Sequence, residues 1–298
     1  MGCLTWDSYM RTALLSNVLM LGVLLTASAG FADGNISGRR STAPPERIVS
    51  LAPSMTEILF SLGVGSRIVG VTSFCDQPEE AKKKQKIGGM SNPSLEAVVS
   101  LRPDLVVMTT DGNPREFQER LRLLKIPTYV WKGRMLAGLP QGIRELGAEL
   151  ALPEQAEKLA RKIERALAGR KVTSKKTKKH RIQSLKALFI VWPEPLIVAG
   201  PGTAIDDAFT LLGIRNIASP TRTTYPKYSL EEVIYQAPDV IFVGQGHVNM
   251  KDISKGLLRK LKMVPAVRNG AVCYVSDSLY RLGPRVIRGI EELEKCFD

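Results

Sequence analysis

Histidine is nearly missing from this chain: there are two in 298 residues, His180 and His247. They sit far apart and neither has a partner at metal-ligand spacing, which argues against a histidine-built catalytic metal site. His247, within "GQGHVN", reads as a polar loop residue in preference to a catalytic base. Cysteine is scarce too, four in all with no Cys-x-x-Cys, so thioredoxin-like and zinc-ribbon roles lack support. No Gly-x-Ser-x-Gly elbow occurs, nor a phosphate loop ending in Gly-Lys-Ser/Thr. Gly63-Val64-Gly65 lacks the third glycine of a dinucleotide fingerprint and precedes a strand. The expectation is a protein that is not an enzyme and has no catalytic cofactor or metal.

Long hydrophobic runs are absent except near the start. Residues 12–26 form an apolar stretch after Arg11, and small residues then offer cleavage points after Ala29 or Ala32. That length suits a secretory h-region and falls short of the ~20 residues of a spanning helix; an uncleaved anchor is the alternative. Cys3 precedes the stretch, so it cannot become a lipidated N-terminus after cleavage. A periplasmic protein is expected, with Cys75, Cys273 and Cys296 left in an oxidising compartment. Cys273 and Cys296 are candidates for pairing, which the sequence does not decide.

Charge leans to one sign. The formal net charge is +13, and Lys82, Lys83, Lys84, Lys86 and the segment 171–181 are basic clusters. Neither interleaves with aromatics as single-strand nucleic-acid binders do, so solvated faces are the preferred account and no nucleic-acid partner is expected. With 44% hydrophobic and 24% charged residues the chain is globular.

Short apolar runs alternate with helical patterns, which indicates an α/β fold with mainly parallel sheets. Ile48–Ala52 and "RIVGVT" read as strands, with Ser54 or Thr56 capping the helix between them and Gly63 ending it. Strands over Leu105–Met108 and in "LKIPTYVW" follow, with a helix around Phe117–Leu124. A long helix over Pro153–Arg170 opens with proline and closes with cations. "SLKALFIVW", "GTAIDDAFTLLG", "NGAVCYVS" and "GPRVIRGIEELEKCF" then supply a second series. The expected organisation is a signal peptide over 1–29, a flexible leader over 30–46 and an N-terminal lobe over 47–150. A bridging helix and basic linker over 151–181 and a C-terminal lobe over 182–298 follow.

One motif appears twice. Ser94–Val107 is "SLEAVVSLRPDLVV" and Ser229–Val243 is "SLEEVIYQAPDVIFV", with nine residues from Ser to Pro in both. A period this long marks a duplicated domain, not a solenoid. Two α/β lobes create a cleft at the carboxyl ends of their strands, a preferred ligand site. Loops there, such as "TSFCDQP", "GGMSNP", "TTDGNP" and "SDSLYRLGPR", mix aromatic and apolar residues with Asp, Thr and Arg. Such a lining suits a large, partly flat ligand with a polar rim.

Five ordered motifs over residues 47–298 carry a resemblance: "RIVSLAPSMTEILFSLG", "VGVTSFCDQPEEA", "NPSLEAVVSLRPDLVV", "YSLEEVIYQAPDVIFV" and "YRLGPRVIRGIEEL". The chain resembles periplasmic binding proteins of the cobalamin and iron-chelate import family. The resemblance implies two Rossmann-like lobes bridged by one long helix, and delivery of the ligand to an ABC permease in the inner membrane; a monomer is the default expectation. It implies that Glu96 and Glu231, one per lobe, dock onto arginines of a two-fold symmetric permease. Both glutamates also suit the dipole of a first helical turn. Glu232 completes a capping box in the second copy but Ala97 replaces it in the first, so the shared glutamate is not the capping one.

Cobalamin binders within the family give the residue-level expectation. Phe74 falls where an aromatic ring meets the corrin, Arg281 where an arginine contacts ligand, and Tyr225 where a Trp stands. Met90 and Thr109 replace Trp residues, Trp192 serves as cleft lining or core, and Cys273 and Cys296 do not match the disulfide of those proteins. A corrinoid, cobalamin by the resemblance, is the expected ligand. A ferric siderophore or haem is the alternative, kept open by Tyr225 and Tyr280. An envelope enzyme acting on a metal chelate and a basic nucleic-acid protein are more distant alternatives.

Overall fold

Short runs rich in Val and Ile form the strands, and they do so twice. The computed structural model describes residues 36–37, 43–170, 184–246 and 249–297. The export segment with its cleavage points, His180 with the basic linker, and His247 lie outside them. Residues 35–298 cluster as one unit.

The first half opens with β1 (Ile36–Ser37), β2 (Ile48–Ser50), α1 (Pro53–Ser61) and β3 (Ile68–Val71). Next come α2 (Glu79–Lys82), β4 (Gln85–Lys86), α3 (Leu95–Ser100), β5 (Leu105–Thr109), α4 (Arg115–Leu123) and β6 (Thr128–Trp131). The sheet order is β1-β6-β5-β2-β3-β4, parallel throughout except for β1 on β6. Two helices, α5 (Leu139–Glu149) and α6 (Pro153–Ala168), lead to the second half. There β7 (Lys186–Pro193), β8 (Leu196–Val198), α7 (Ala204–Leu212), β9 (Arg215–Asn216) and α8 (Leu230–Gln236) come first. After them run β10 (Val240–Gly244), α9 (Met250–Lys260), α10 (Pro265–Arg268), β11 (Val272–Val275) and α11 (Val286–Lys295).

The duplication read from one motif extends to the sheets. Order β6-β5-β2-β3 in the first lobe matches β11-β10-β7-β9 in the second, with every pairing parallel. The second sheet adds β8, antiparallel to the distal part of β7.

The central strands β2, β5, β6 and β10 bury both faces, as parallel strands covered by helices do. Val49, Val106, Met108 and Val130 face one core, while Leu188, Ile190, Ile241 and Val243 face another. The opposite faces of both sheets meet in one shared core that holds Ile48, Val107, Tyr129, Phe189 and Phe242, together with Ile143 and Ile163 of α5 and α6. A continuous apolar core between lobes opposes large hinge motion, because parting them would expose buried surface at about 25 cal/mol per Å².

Two local outcomes differ from expectation. Helix α1 starts at Pro53 with Ala52 as its N-cap, not Ser54 or Thr56. Proline presets the helical φ and lacks the N–H a cap would satisfy. The Thr56 hydroxyl instead turns inward, 2.8 Å from Ser50 Oγ. Second, the long helix α6 does not stand alone but packs as a pair with α5. Gly147 makes that approach possible, since a Cβ there would come within 2.1 Å of Ala156 Cβ. Past the end of α6, Arg170 pairs with Glu291 of α11 and so ties this hairpin to the second lobe. Among the described residues no helix is long and apolar enough to cross a membrane.

Candidate functional site

The repeated motif is best understood residue by residue. Ser94 and Ser229 are N-caps, their hydroxyls accepting from the Ala97 and Glu232 amides at 3.2 and 3.0 Å. The Val two residues past the Glu is fully buried in each copy. Position eight after the Ser is left-handed in both, Arg102 at φ 47 and Ala237 at φ 48, and the following proline stops the helix.

Asp104 accepts hydrogen bonds from the Glu46 and Arg47 amides at the entry to β2, and Asp239 accepts one from Lys186 at the entry to β7. Even the cations at those entries match. Arg47 donates to Leu101 O at the end of α3, and Lys186 to Gln236 O at the end of α8, each satisfying carbonyls left open by the helix end. Ser, Val, Pro and Asp are thus accounted for by folding. Glu96 and Glu231 are not: both are exposed in a first helical turn, and neither side chain has a hydrogen-bond or ion-pair partner among the described residues.

The cleft lies at the carboxyl ends of the strands and encloses about 370 Å³. The first lobe contributes Phe74, Met90, Thr109, Asp111 and Trp131, and the second contributes Ile205, Tyr225, Tyr280 and Arg281. Five of the six residues expected to line it are therefore brought together. Trp192 is the exception. It sits on the β7–β8 hairpin opposite Ile197, its indole donates to Glu194 O at 2.8 Å, and it belongs neither to the cleft lining nor to a buried core. The alternation of β7 turns it away.

Phe74 and Tyr225 are the exposed rings, at 45% and 37%, one from each lobe. Thr109 is buried, with its hydroxyl donating to Asp111 O and its amide to Asn113 Oδ1. Asn113 in turn donates to Leu51 O and Met90 O, which fixes the loop that carries Asp111.

Arg281 reaches the cleft wall, but its guanidinium is committed. It lies 2.6 Å from Asp76 and 2.7 Å from Asp277, with Glu57 at 3.8 Å. Arg285 holds Glu57 bidentately at 2.9 and 2.7 Å and also reaches Ser278 and Asp277. Glu57 belongs to α1 of the first lobe, so this cluster joins the lobes. Burial pushes the Glu57 carboxyl up, and the Arg285 and then Arg281 guanidiniums offset part of that. Neither Glu57 nor Arg285 was expected from sequence. A single charged residue in the otherwise uncharged "SMTEILF" was the available signal, since an unpaired buried carboxylate is costly.

The uncommitted polar groups of the cleft are different ones. Asp111, Arg134 and the Tyr225 hydroxyl line the cleft and form no side-chain hydrogen bond or ion pair among the described residues. Burial, reinforced by Asp111 and opposed by Arg134, pushes the Tyr225 phenol up to about 12. Burial likewise raises that of Tyr280, whose hydroxyl donates to Gln245 O. Cys273 and Cys296 are free thiols, the Cys296 thiol donating to Glu292 O at 3.3 Å, and Cys75 is a buried free thiol.

A family model described as "Periplasmic binding protein" matches residues 48–279. The vitamin B12-binding protein of Vibrio campbellii is 31% identical over 278 residues, covering 92% of this chain and 94% of that protein. The crystal structure of the periplasmic vitamin B12-binding protein BtuF of Vibrio cholerae is 26% identical, with a TM-score of 0.73, covering 85% of this chain and 97% of that one. The periplasmic heme-binding protein RhuT from Roseiflexus, in apo form, is 30% identical with a TM-score of 0.76, covering 85% and 97%.

Proposed function

We propose a function from one premise: the chain belongs to the periplasmic binding protein family, which it matches over residues 48–279. It acts in the periplasm, captures a corrinoid of the cobalamin type without converting it, and delivers it to an ABC permease. The supporting observation is the cleft itself, which offers one exposed aromatic ring from each lobe, Phe74 and Tyr225, around apolar walls. Opposed rings suit a flat macrocycle, held by aromatic and apolar contact. The vitamin B12-binding name of the Vibrio campbellii relative supports the same ligand.

Haem is the second candidate, favoured by the heme-binding Roseiflexus protein and by the two cleft tyrosines. An iron-ligating tyrosine works as phenolate, and burial raises the pKa of both phenols here. Both macrocycles hold their own metal, so the preference for a corrinoid rests on the vitamin B12-binding relative.

Glu96 and Glu231 are the docking groups. Each is the member of its repeat that folding does not use, and a symmetric permease needs one equivalent contact per lobe. Titration calorimetry with cyanocobalamin and, in parallel, haemin is the test. One-to-one submicromolar binding of cyanocobalamin, weakened about tenfold by Phe74→Ala or Tyr225→Ala, is expected. Tight haemin binding without cyanocobalamin binding would change the ligand and keep the transport role. Glu96→Arg with Glu231→Arg should abolish permease-stimulated uptake while leaving ligand affinity unchanged.

A further inference from the structure

Resting on the corrinoid reading, we infer that Arg134, and not the expected Arg281, is the residue that selects the ligand by its anionic group, the phosphodiester of a complete corrinoid. The inference follows from which guanidinium is available. Arg281 is 9% exposed and ion-paired to Asp76 and Asp277. An incoming anion would have to displace two carboxylates from it. Arg134 is exposed, lines the same cleft, and has no ion pair or side-chain hydrogen bond among the described residues.

The backbone holds Arg134 in place from both sides. On one side, the Trp131 indole donates to Gly133 O at 2.9 Å, and a Cβ on Gly133 would come within 2.8 Å of Trp131 Nε1. The chain therefore wraps the indole just before Arg134. On the other side, the Leu136 amide donates at 2.8 Å to Asp207 Oδ2 on α7 of the opposite lobe. A cation whose backbone is fixed at both ends has only its side chain left to order on binding, which favours affinity.

Asp111 and Tyr225 give the contact its direction. Both share the cleft with Arg134, and both charges act on the Tyr225 phenol, Asp111 raising its pKa and Arg134 lowering it. Asp111 repels an anion on its own side and accepts amide N–H groups, of which a corrinoid rim has several. Arg134 then becomes the favourable position for the phosphodiester, through charge-assisted hydrogen bonds.

The test compares ligands that differ in their anionic groups. Cyanocobalamin carries the phosphodiester and dicyanocobinamide lacks it; haemin carries two carboxylates and its dimethyl ester has none. Affinities are measured for wild type, Arg134→Gln and Arg134→Lys, with melting temperature as the check on folding. The wild type is expected to prefer cyanocobalamin to dicyanocobinamide. Arg134→Gln should lower cyanocobalamin affinity by about ten- to a hundredfold and dicyanocobinamide affinity by less than about threefold, with Arg134→Lys between. Equal loss for both corrinoids, or loss for neither, would overturn the assignment and leave corrinoid binding intact. If the wild type binds haemin and no corrinoid, the corrinoid reading fails. Arg134 as anion reader then stands if Arg134→Gln weakens haemin more than its ester, and falls if it does not. Binding of none of the four overturns both.

Discussion

The two lobes are alike where strands begin and unlike where strands end. At the entries to β2 and β7 the same hardware recurs: a cation on the end of a helix, an aspartate on the strand's first amides, a left-handed residue before proline. At the carboxyl ends, the first lobe presents Phe74, Met90, Asp111 and Arg134, and the second presents Tyr225, Tyr280 and the ion-paired Arg281. Strand entries must solve one geometric problem in both lobes, the seating of a helix–strand junction on a parallel sheet. The cleft has to hold one asymmetric ligand, so its two walls have no reason to match. The glutamates Glu96 and Glu231 fall with the matching set although folding does not need them, which is what a symmetric partner would require.

The comparison can be broken most severely where the lobes meet. Glu57→Ala leaves Arg285 with Asp277 and Ser278, and Arg281 with Asp76 and Asp277, and urea denaturation should show a loss of about 3 kcal/mol. A loss under about 1 kcal/mol, the range of exposed pairs, would mean that the shared apolar core alone joins the lobes. Next come the strand entries. Asp104→Ala and Asp239→Ala should each cost about 1–2 kcal/mol, because two exposed bonds in the first lobe balance one partly buried bond in the second. A wide disparity between the two variants would show that the matching contacts are not energetically equivalent.

Smaller still is the effect of relieving the left-handed residues. Arg102→Gly and Ala237→Gly remove a Cβ penalty of about 1–2 kcal/mol and add chain entropy of about 0.5–1 kcal/mol. Each should raise the melting temperature slightly. The least effect is expected from a feature without a counterpart in the second lobe, the exposed cluster of Arg144, Glu157 and Glu164 on α5 and α6. Hydrogen bonding to Arg144 lowers the Glu157 pKa from 4.5 to about 2. A depressed carboxylate stabilises the fold above its unfolded pKa and ceases to as pH falls through the folded value. An acid titration should therefore show a small loss between about pH 4.5 and 2 that is reduced in Arg144→Ala, where Arg161 still bonds Glu157.

The α/β class, the two lobes, the strand runs and the long helix over α6 were legible because each depends on local periodicity and on Gly, Pro and capping residues. The cap of α1 falls two or four residues before the expected Ser54 or Thr56, since Pro53 outcompeted the polar caps that follow it. The pairing of α5 with α6 was not legible, because it depends on Gly147 meeting Ala156 across a turn.

For the site, the chain alone determined which residues are repeated and which loops gather at the strand ends, while the grouping of Phe74, Met90, Thr109, Tyr225 and Arg281 was what the resemblance to cobalamin binders implied. Tertiary structure decided which of them remain available. Arg281 and Arg285 are taken by Glu57, Asp76 and Asp277, residues up to 228 positions away in sequence. Trp192 is turned out of the cleft by the strand it belongs to, and Arg134 is left as the open cation. Periodicity and spacing are properties of neighbours along the chain. The partner that satisfies a buried charge is set by packing between distant segments.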